Sequence, residues 1–123
     1  MTTFESLQGM TLVSIEGLKE NNDWVKFETI DGQKFNWYPS DGAPNDCIVF
    51  ISQVDGDIND LLNTPILKAE IKTNQSENLD PEWTWTFFTL ATIKGYVDIV
   101  WQGQSNGYYS EEPYFEKVDR FHI

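Results

Sequence analysis

The sequence predicts a mainly β protein, α+β at most, folded as one domain. Three observations lead to this prediction: runs in which apolar and polar residues alternate, tight-turn pairs between those runs, and no helical pattern longer than two or three turns. A chain of 123 residues supports one hydrophobic core and is too short for two, so we expect a single domain over residues 1–123. The expected form is an antiparallel sheet or meander, or a small sandwich, with one short helix.

The first half of the chain contains a predicted strand followed by a predicted hairpin. Residues 10–17, MTLVSIEG, are a β-branched run that ends at a glycine. In residues 24–39, WVKFETIDGQKFNWYP, Asp31 and Gly32 separate two alternating runs, which is the strongest short-range signal for a β-hairpin. The alternation places three residues on one face of the first run, Val25, Phe27 and Thr29.

The middle of the chain predicts two more strands around one short helical turn. Residues 47–54, CIVFISQV, form a continuous apolar run of strand length, and residues 66–73, ILKAEIKT, return to a strand pattern. Between them, Asp57 is placed to cap a single helical turn that Pro65 ends.

Residues 83–118 have the pattern of a three-stranded meander. Its predicted tight turns are Lys94 with Gly95 and Asn106 with Gly107. With the first turn at that position, Leu90 faces Ile99 across the hairpin. One face of this hairpin is then a core stripe, made of Phe88, Leu90, Val97, Ile99 and Trp101.

The second face of this hairpin is also apolar, which is unusual for a sheet in a small domain. It carries Trp83, Trp85, Phe87, Tyr96 and Val100. A second layer of the same chain, a second subunit or a ligand must cover such a face. We expect a homo-oligomer, most simply a two-fold dimer, in which this face is at least partly buried.

The charge of the chain restricts its partners. Eight Lys and Arg against twenty Asp and Glu leave a net charge of −12, so direct contact with a nucleic-acid backbone or an anionic membrane would be repulsive. We expect a basic protein as partner, and an acidic surface that includes Asp55, Asp57, Asp60 and Glu112. No run approaches the roughly 18 apolar residues of a membrane span, and the start of the chain lacks a basic segment followed by an apolar one, so a cytoplasmic location is expected.

The sequence contains no convincing set of catalytic or metal-binding residues. The single histidine, His122, is next to last, and Cys47 adjoins Asp46 and an apolar run, which indicates a buried thiol. Residues 55–60, DGDIND, begin like a calcium loop, but the twelfth position is Ile66 and cannot supply a carboxylate. We therefore expect no enzymatic activity, no metal and no cofactor.

Aromatic and polar residues cluster around the second predicted turn. Their stacking faces and hydrogen-bonding groups suit a pocket for a base or a sugar, although plain packing around a turn explains the same pattern. The cluster comprises Trp101, Gln102, Ser105, Asn106, Tyr108 and Tyr109, with Glu111 beside them.

Residues 84–112, TWTFFTLATIKGYVDIVWQGQSNGYYSEE, followed by FEKV, resemble a family of small acidic proteins from bacteriophages, prophages and Gram-positive bacteria whose function is unknown. The likeness extends weakly to LQGMTLVSIEG and to VDGDINDLLNTPILKAE. Two departures stand out: only Asp46 and Cys47 remain of a common Asp-Cys-Cys-Glu run, and Val100 occupies a position where many relatives have Arg. The resemblance implies a phage setting, and it supplies no established activity or catalytic residues.

These observations favour a non-enzymatic protein that binds and inhibits a basic host protein, in host defence or nucleic-acid handling, by mimicking phosphate charge. The alternative hypothesis is a small-molecule binding protein that sequesters a nucleotide signal in an aromatic pocket. A hydrolase that uses Glu111 or Glu112 is a third hypothesis, which the opposite orientation of adjacent strand residues disfavours.

Overall fold

The computed structural model describes residues 3–39, 48–74, 83–104 and 113–121. These residues form eight strands and two 3-10 turns, which confirms the mainly β prediction and makes the expected short helix a 3-10 turn. In chain order the elements are the first 3-10 turn (Phe4–Leu7), β1 (Leu12–Glu16), β2 (Val25–Thr29), β3 (Lys34–Tyr38), β4 (Ile48–Asp55), the second 3-10 turn (Ile58–Leu61), β5 (Lys68–Asn74), β6 (Trp83–Thr92), β7 (Gly95–Gln104) and β8 (Tyr114–Val118).

The strands form two four-stranded antiparallel sheets. The first sheet has the order β1-β2-β3-β8, and the second has the order β4-β7-β6-β5. Their inner faces meet in one core, where the Trp37 ring of the first sheet lies 4.6 Å from Phe88 and 5.1 Å from Trp101 of the second sheet, measured between ring centroids. Of the predicted forms, the small sandwich is therefore the one observed.

The predicted meander is wrong in its third strand. β8 does not pair with β7, because it crosses to the first sheet and pairs with β3. There Phe115 lies opposite Trp37 and stacks on Phe35 with a centroid distance of 5.2 Å. The crossover buries this aromatic ring and gives β3 a second neighbour, so non-local burial decides the pairing.

The hairpin of β6 and β7 forms as predicted, but its turn is at Ile93 and Lys94. Thr92 therefore faces Gly95, and the register differs from the predicted one by two residues. The Thr92 side chain explains the position of the turn, since its hydroxyl accepts a hydrogen bond from the Lys94 backbone N–H at 3.1 Å and donates to the Asp60 carbonyl oxygen. A shift of two residues keeps every side chain on its predicted face.

The predicted inward faces are confirmed by burial. The stripe from Phe88 to Trp101 is buried, as are Val25, Phe27 and Thr29 of β2. The loop between β2 and β3 is a three-residue connection in which Gly32 has a φ of 87°, the left-handed conformation that such a loop requires. The predicted cap is also confirmed, because the Asp57 side chain accepts from the Asn59 backbone N–H at 2.9 Å.

Within the residues that the structure describes, three buried side chains have polar atoms without a hydrogen-bond partner. They are the amide of Asn36, the hydroxyl of Thr86 and the indole N–H of Trp101. Thr86 and Trp101 lie directly opposite each other on β6 and β7 and both point into the core. Unpartnered polar groups at these positions cost folding free energy.

Candidate functional site

One end of the sandwich is built from turns that the structure describes. The 30–32 loop, the second 3-10 turn, residues 62–67 and the turn at Ile93 and Lys94 all lie at this hairpin end. Backbone contacts join these segments: the Ile30 N–H donates to the Thr11 carbonyl oxygen, Thr11 bridges to Pro65, and the Leu67 N–H donates to the Ala91 carbonyl oxygen.

Four carboxylates converge at the hairpin end. Asp55, the last residue of β4, pairs directly with Asp98 of β7. Asp57 and Asp60 follow in the second 3-10 turn and its cap. Together with Tyr96 and two glycines they line a depression of about 420 Å³. The pairing of β4 with β7 therefore collects acidic side chains that are more than forty residues apart in the chain.

Asp55, Asp57 and Asp98 accept hydrogen bonds, but none of the four carboxylates has a cationic partner in the described part of the chain. Asp98 accepts from the Thr89 hydroxyl at 2.7 Å, and Asp55 accepts from the Gln53 side-chain amide at 2.5 Å. The salt bridges found among the described residues involve other carboxylates, Glu28 and Glu70. Lys94, the nearest lysine in sequence, donates to the Leu62 carbonyl oxygen at 2.8 Å. No cation of the described residues thus forms an ion pair with the negative charge at this end.

Three apolar side chains stand exposed at the same end of the second sheet, and of these Tyr96 lines the acidic depression. Leu67 is 60% exposed, Ile93 83% and Tyr96 63%. All three lie at the turn end of the β6–β7 hairpin. Ile93 is in the turn, Tyr96 pairs with Ala91, and the Leu67 N–H donates to the Ala91 carbonyl oxygen. We call these three residues and the four carboxylates the hairpin-end surface.

The backbone beneath this surface is held tightly. Gly56 has a φ of 124°, and a Cβ atom there would lie 2.4 Å from the Tyr96 carbonyl oxygen. A Cβ atom at Gly95 would lie 2.8 Å from Oδ2 of Asp60. The chain therefore passes from β4 into the second 3-10 turn in direct contact with β7, and only glycine fits at the crossing.

The residues predicted as an aromatic and polar cluster do not share one surface. Trp101 is fully buried against Trp37 and so takes the core role that the sequence also predicted for it. Trp85, Phe87 and Gln102 lie on the opposite, outer face of the second sheet, where Trp85 pairs with Gln102. The backbone of Trp83 begins β6. The remaining predicted residues lie outside the described part of the chain: Ser105, Asn106, Tyr108, Tyr109, Glu111 and Glu112.

The outer face of the second sheet contains a second depression, of about 720 Å³. Phe87 and Val100 lie side by side on its floor, and Lys72 lines one side while Asp55 and Asp98 line the other. Phe87 is 37% exposed. Within the described residues no further layer of the chain covers Phe87 or Tyr96, so the predicted apolar second face is partly open.

Sequence reasoning identified Asp55, Asp57 and Asp60 but missed their neighbours. Asp98 stands apart from them in the chain, and only the pairing of β4 with β7 brings it beside Asp55. Ile93 was missed because the predicted turn at Lys94 and Gly95 left it in a strand, whereas the observed turn includes it and leaves it without a sheet face to pack on.

The described residues contain neither a metal-binding group nor a helical membrane span. No set of three or more His, Cys, Asp or Glu side chains there is arranged to hold a metal ion. The same residues include no helix with the length and apolar character to cross a bilayer.

Comparisons with known proteins place the chain in one family. Neither the curated proteins nor the solved structures include a match to it. Residues 5–115, which span both sheets and the hairpin-end surface, match a family described as a domain of unknown function. The chain belongs to that family, DUF7448.

Proposed function

We propose that this protein is a non-enzymatic binding protein whose hairpin-end surface engages a basic region of a partner protein. The observation that carries the proposal is the set of four carboxylates that form no ion pair with any described residue, together with three exposed apolar side chains at the same end of the sheet. Protein interfaces commonly combine an apolar centre with a polar rim. Here the rim is acidic, so the partner surface that fits it is basic.

The physical roles of the two parts differ. Carboxylates at the rim steer a basic partner during encounter and exclude acidic ones, so they set the association rate and the specificity. Ile93 and Tyr96 supply the area that is removed from water in the complex, and aromatic residues often dominate binding energy. A chain with a net charge of −12 strengthens the steering at low salt.

The phage and prophage setting implied by the sequence resemblance makes a host protein the proposed partner. A basic nucleic-acid channel in a defence or nucleic-acid-handling protein fits the charge of the hairpin-end surface. Occupying such a channel would inhibit it by stoichiometric binding in the host cytoplasm. A homo-oligomer, most simply a dimer, is part of this proposal.

The test begins with capture from host lysate at two salt concentrations, followed by titration of the captured protein after purification. We expect the affinity to fall steeply between about 0.1 M and about 1 M salt, as the Debye length shrinks from about 10 Å to about 3 Å. Combined Asp57→Asn and Asp60→Asn should weaken binding about tenfold, and asparagine retains the cap. Ile93→Ser should weaken it as well.

The matched control is combined Glu16→Gln and Glu20→Gln. It removes the same charge from exposed positions at the other end of the first sheet. Binding that does not depend on salt would show that another kind of surface is responsible. Equal weakening by both double variants would show that net charge alone, and not the hairpin-end surface, determines the affinity.

A nucleotide-binding function is the second candidate, because the depression above Phe87 combines an aromatic ring with Lys72. Asp55 and Asp98 line the same depression and would repel phosphate groups, so this candidate ranks lower. A thermal-shift panel of cyclic nucleotides and ADP-ribose derivatives tests it. A ligand present at a hundred times its Kd adds about 2.7 kcal/mol of stability. A panel without any shift excludes it.

A further inference from the structure

The outer face of the second sheet has opposite charges on its two sides. Lys72 lies on β5 at one side, and Asp55 and Asp98 lie on β4 and β7 toward the other. Between them Phe87 and Val100 are a cross-strand pair and form an apolar centre.

The opposite charges form no ion pairs with one another among the described residues. Glu70, also on β5, is engaged by Lys68 at 3.4 Å, whereas Lys72 forms no ion pair with any described residue. β6 lies between Lys72 and Asp98, so their backbones are about 10 Å apart at the usual strand spacing. A cation at one side and carboxylates at the other thus remain available.

We infer that a second copy of this chain packs on this face as a two-fold dimer. A dimer of this kind pairs a surface with itself, so the surface must be self-complementary. A two-fold axis that runs parallel to the strands, near Phe87 and Val100, places β5 of one copy over β4 of the other. Lys72 then lies above Gln53 of the other copy, and Glu70 lies above Asp55. Lys68 and Lys72 flank Glu70 on the same face, so the flexible stems of two lysines can direct their ammonium groups toward Asp55 against one carboxylate.

Other ways of stacking the two faces are less favourable. An axis in the plane of the sheets but perpendicular to the strands would place β5 over β5 and β4 over β4. The outward side chains of β5, which are Lys68, Glu70 and Lys72, sum to a charge of +1 and would face their own copies. Asp55 and Asp98 would likewise face the acidic side of the other copy, and like charges that face each other are repulsive. Charge complementarity therefore selects the parallel axis.

The size of the face sets the strength of the dimer. Four strands at about 4.8 Å spacing, each about eight residues long at about 3.4 Å per residue, present about 500 Å² per copy. The total of about 1,000 Å² is at the lower limit for a specific interface. The dimer is accordingly weak and depends on concentration.

The parallel axis also has a consequence for partner binding. Because it preserves the direction of the strands, both hairpin ends lie on the same side of the dimer. Two hairpin-end surfaces can then engage one partner assembly together, which raises the apparent affinity through effective concentration. This consequence rests on the proposed function, whereas the dimer itself does not.

Sedimentation velocity of the full chain, from micromolar to millimolar concentration, tests the inference without any partner. We expect a reversible shift from monomer to dimer. Phe87→Ser and Lys72→Glu should each weaken the association at least about fivefold. Adding Gln53→Lys to Lys72→Glu should restore it, because the new cation lies opposite the new carboxylate of the other copy. The matched control, Lys34→Glu, makes the same charge change on the first sheet and should leave the association unchanged.

Several outcomes would overturn the inference. A wild-type chain that stays monomeric throughout shows that a second copy does not cover this face. A dimer that Phe87→Ser and Lys72→Glu leave intact forms through another surface. Failure of Gln53→Lys to restore the association contradicts the parallel axis. Weak binding to a basic partner with an intact dimer would instead contradict the proposed function alone.

Discussion

Replacing Thr86 with valine should stabilise the protein, which is the opposite of what most substitutions in a core do. Thr86 is 1% exposed on β6, and its hydroxyl has no hydrogen-bond partner among the described residues. Valine has the same shape and also favours strands, so Thr86→Val exchanges an unpaired polar group for a methyl group and changes little else.

The expected gain follows from two terms. An unpaired buried hydroxyl costs about 1–3 kcal/mol of folding free energy. A buried methyl group in its place contributes up to about 0.8 kcal/mol. Since neighbouring side chains relax in part around the hydroxyl, we expect a net gain of about 1–2 kcal/mol. For a chain of this length, that corresponds to an increase of roughly 4–8 °C in Tm.

Urea denaturation and differential scanning calorimetry measure this gain, and Thr29→Val is the matched control. Thr29 is also a buried strand threonine, but its hydroxyl donates to Asp31 and accepts from the Gln33 N–H at 2.9 Å. The control should lose about 1–2 kcal/mol. A loss of stability in Thr86→Val would refute the reasoning, because it would mean that the hydroxyl is satisfied, for example by a water molecule shared with the Trp101 N–H.

Three further predictions concern single positions. Side-chain hydrogen bonds from Thr29 and Gln33 lower the pKa of Asp31 below its ordinary value of 3.8, so the carboxylate stabilises the fold above about pH 4. Urea denaturation at a series of pH values from neutral to acidic should show wild type more stable than Asp31→Asn at neutral pH. This difference should disappear as the pH falls through the pKa that Asp31 has in the folded protein. Phe115→Ala should lower the free energy of unfolding by about 3 kcal/mol. A double-mutant cycle with Phe35→Leu should show a coupling energy of about 0.5–1.5 kcal/mol, because the two rings stack. A coupling energy of zero would contradict the crossover of β8. Gly56→Ala should lower the free energy of unfolding by about 2 kcal/mol or more. Gly32→Ala, where no atom obstructs the added Cβ, should lower it by about 1 kcal/mol. Equal losses of stability in urea denaturation would contradict the close contact of Gly56 with β7.

The inward faces of the two hairpins were predicted correctly from the sequence, even where the position of a turn was not. In β2, alternation alone placed Phe27 and Thr29 inside, and burial confirms it. In β6 and β7 the turn was placed one residue too late, yet Phe88 and Ile99 still face the core, because an offset of two in register preserves the faces. Face assignment depends on a local period of two, so it tolerates an error in the turn.

The candidate site was less accessible to prediction. Asp57 was predicted as a cap because capping is a contact between residues two positions apart. The hairpin-end surface draws instead on three separated segments, around Asp57, Leu67 and Tyr96. No local sequence pattern predicts that these segments lie at one end of the sheet, because the pairing of β4 with β7 and of β6 with β7 places them there.

The amino-acid sequence by itself determined the strands, their inward faces, the cap at Asp57 and the acidic character of the surface. All of these depend on composition or on residues within a few positions of one another. Only the tertiary structure decided that β8 joins the first sheet, where Phe115 stacks on Phe35, and that Asp98 lies beside Asp55. The physical reason is that apolar burial is non-directional and is summed over the whole core, so the choice between sheets depends on every strand at once.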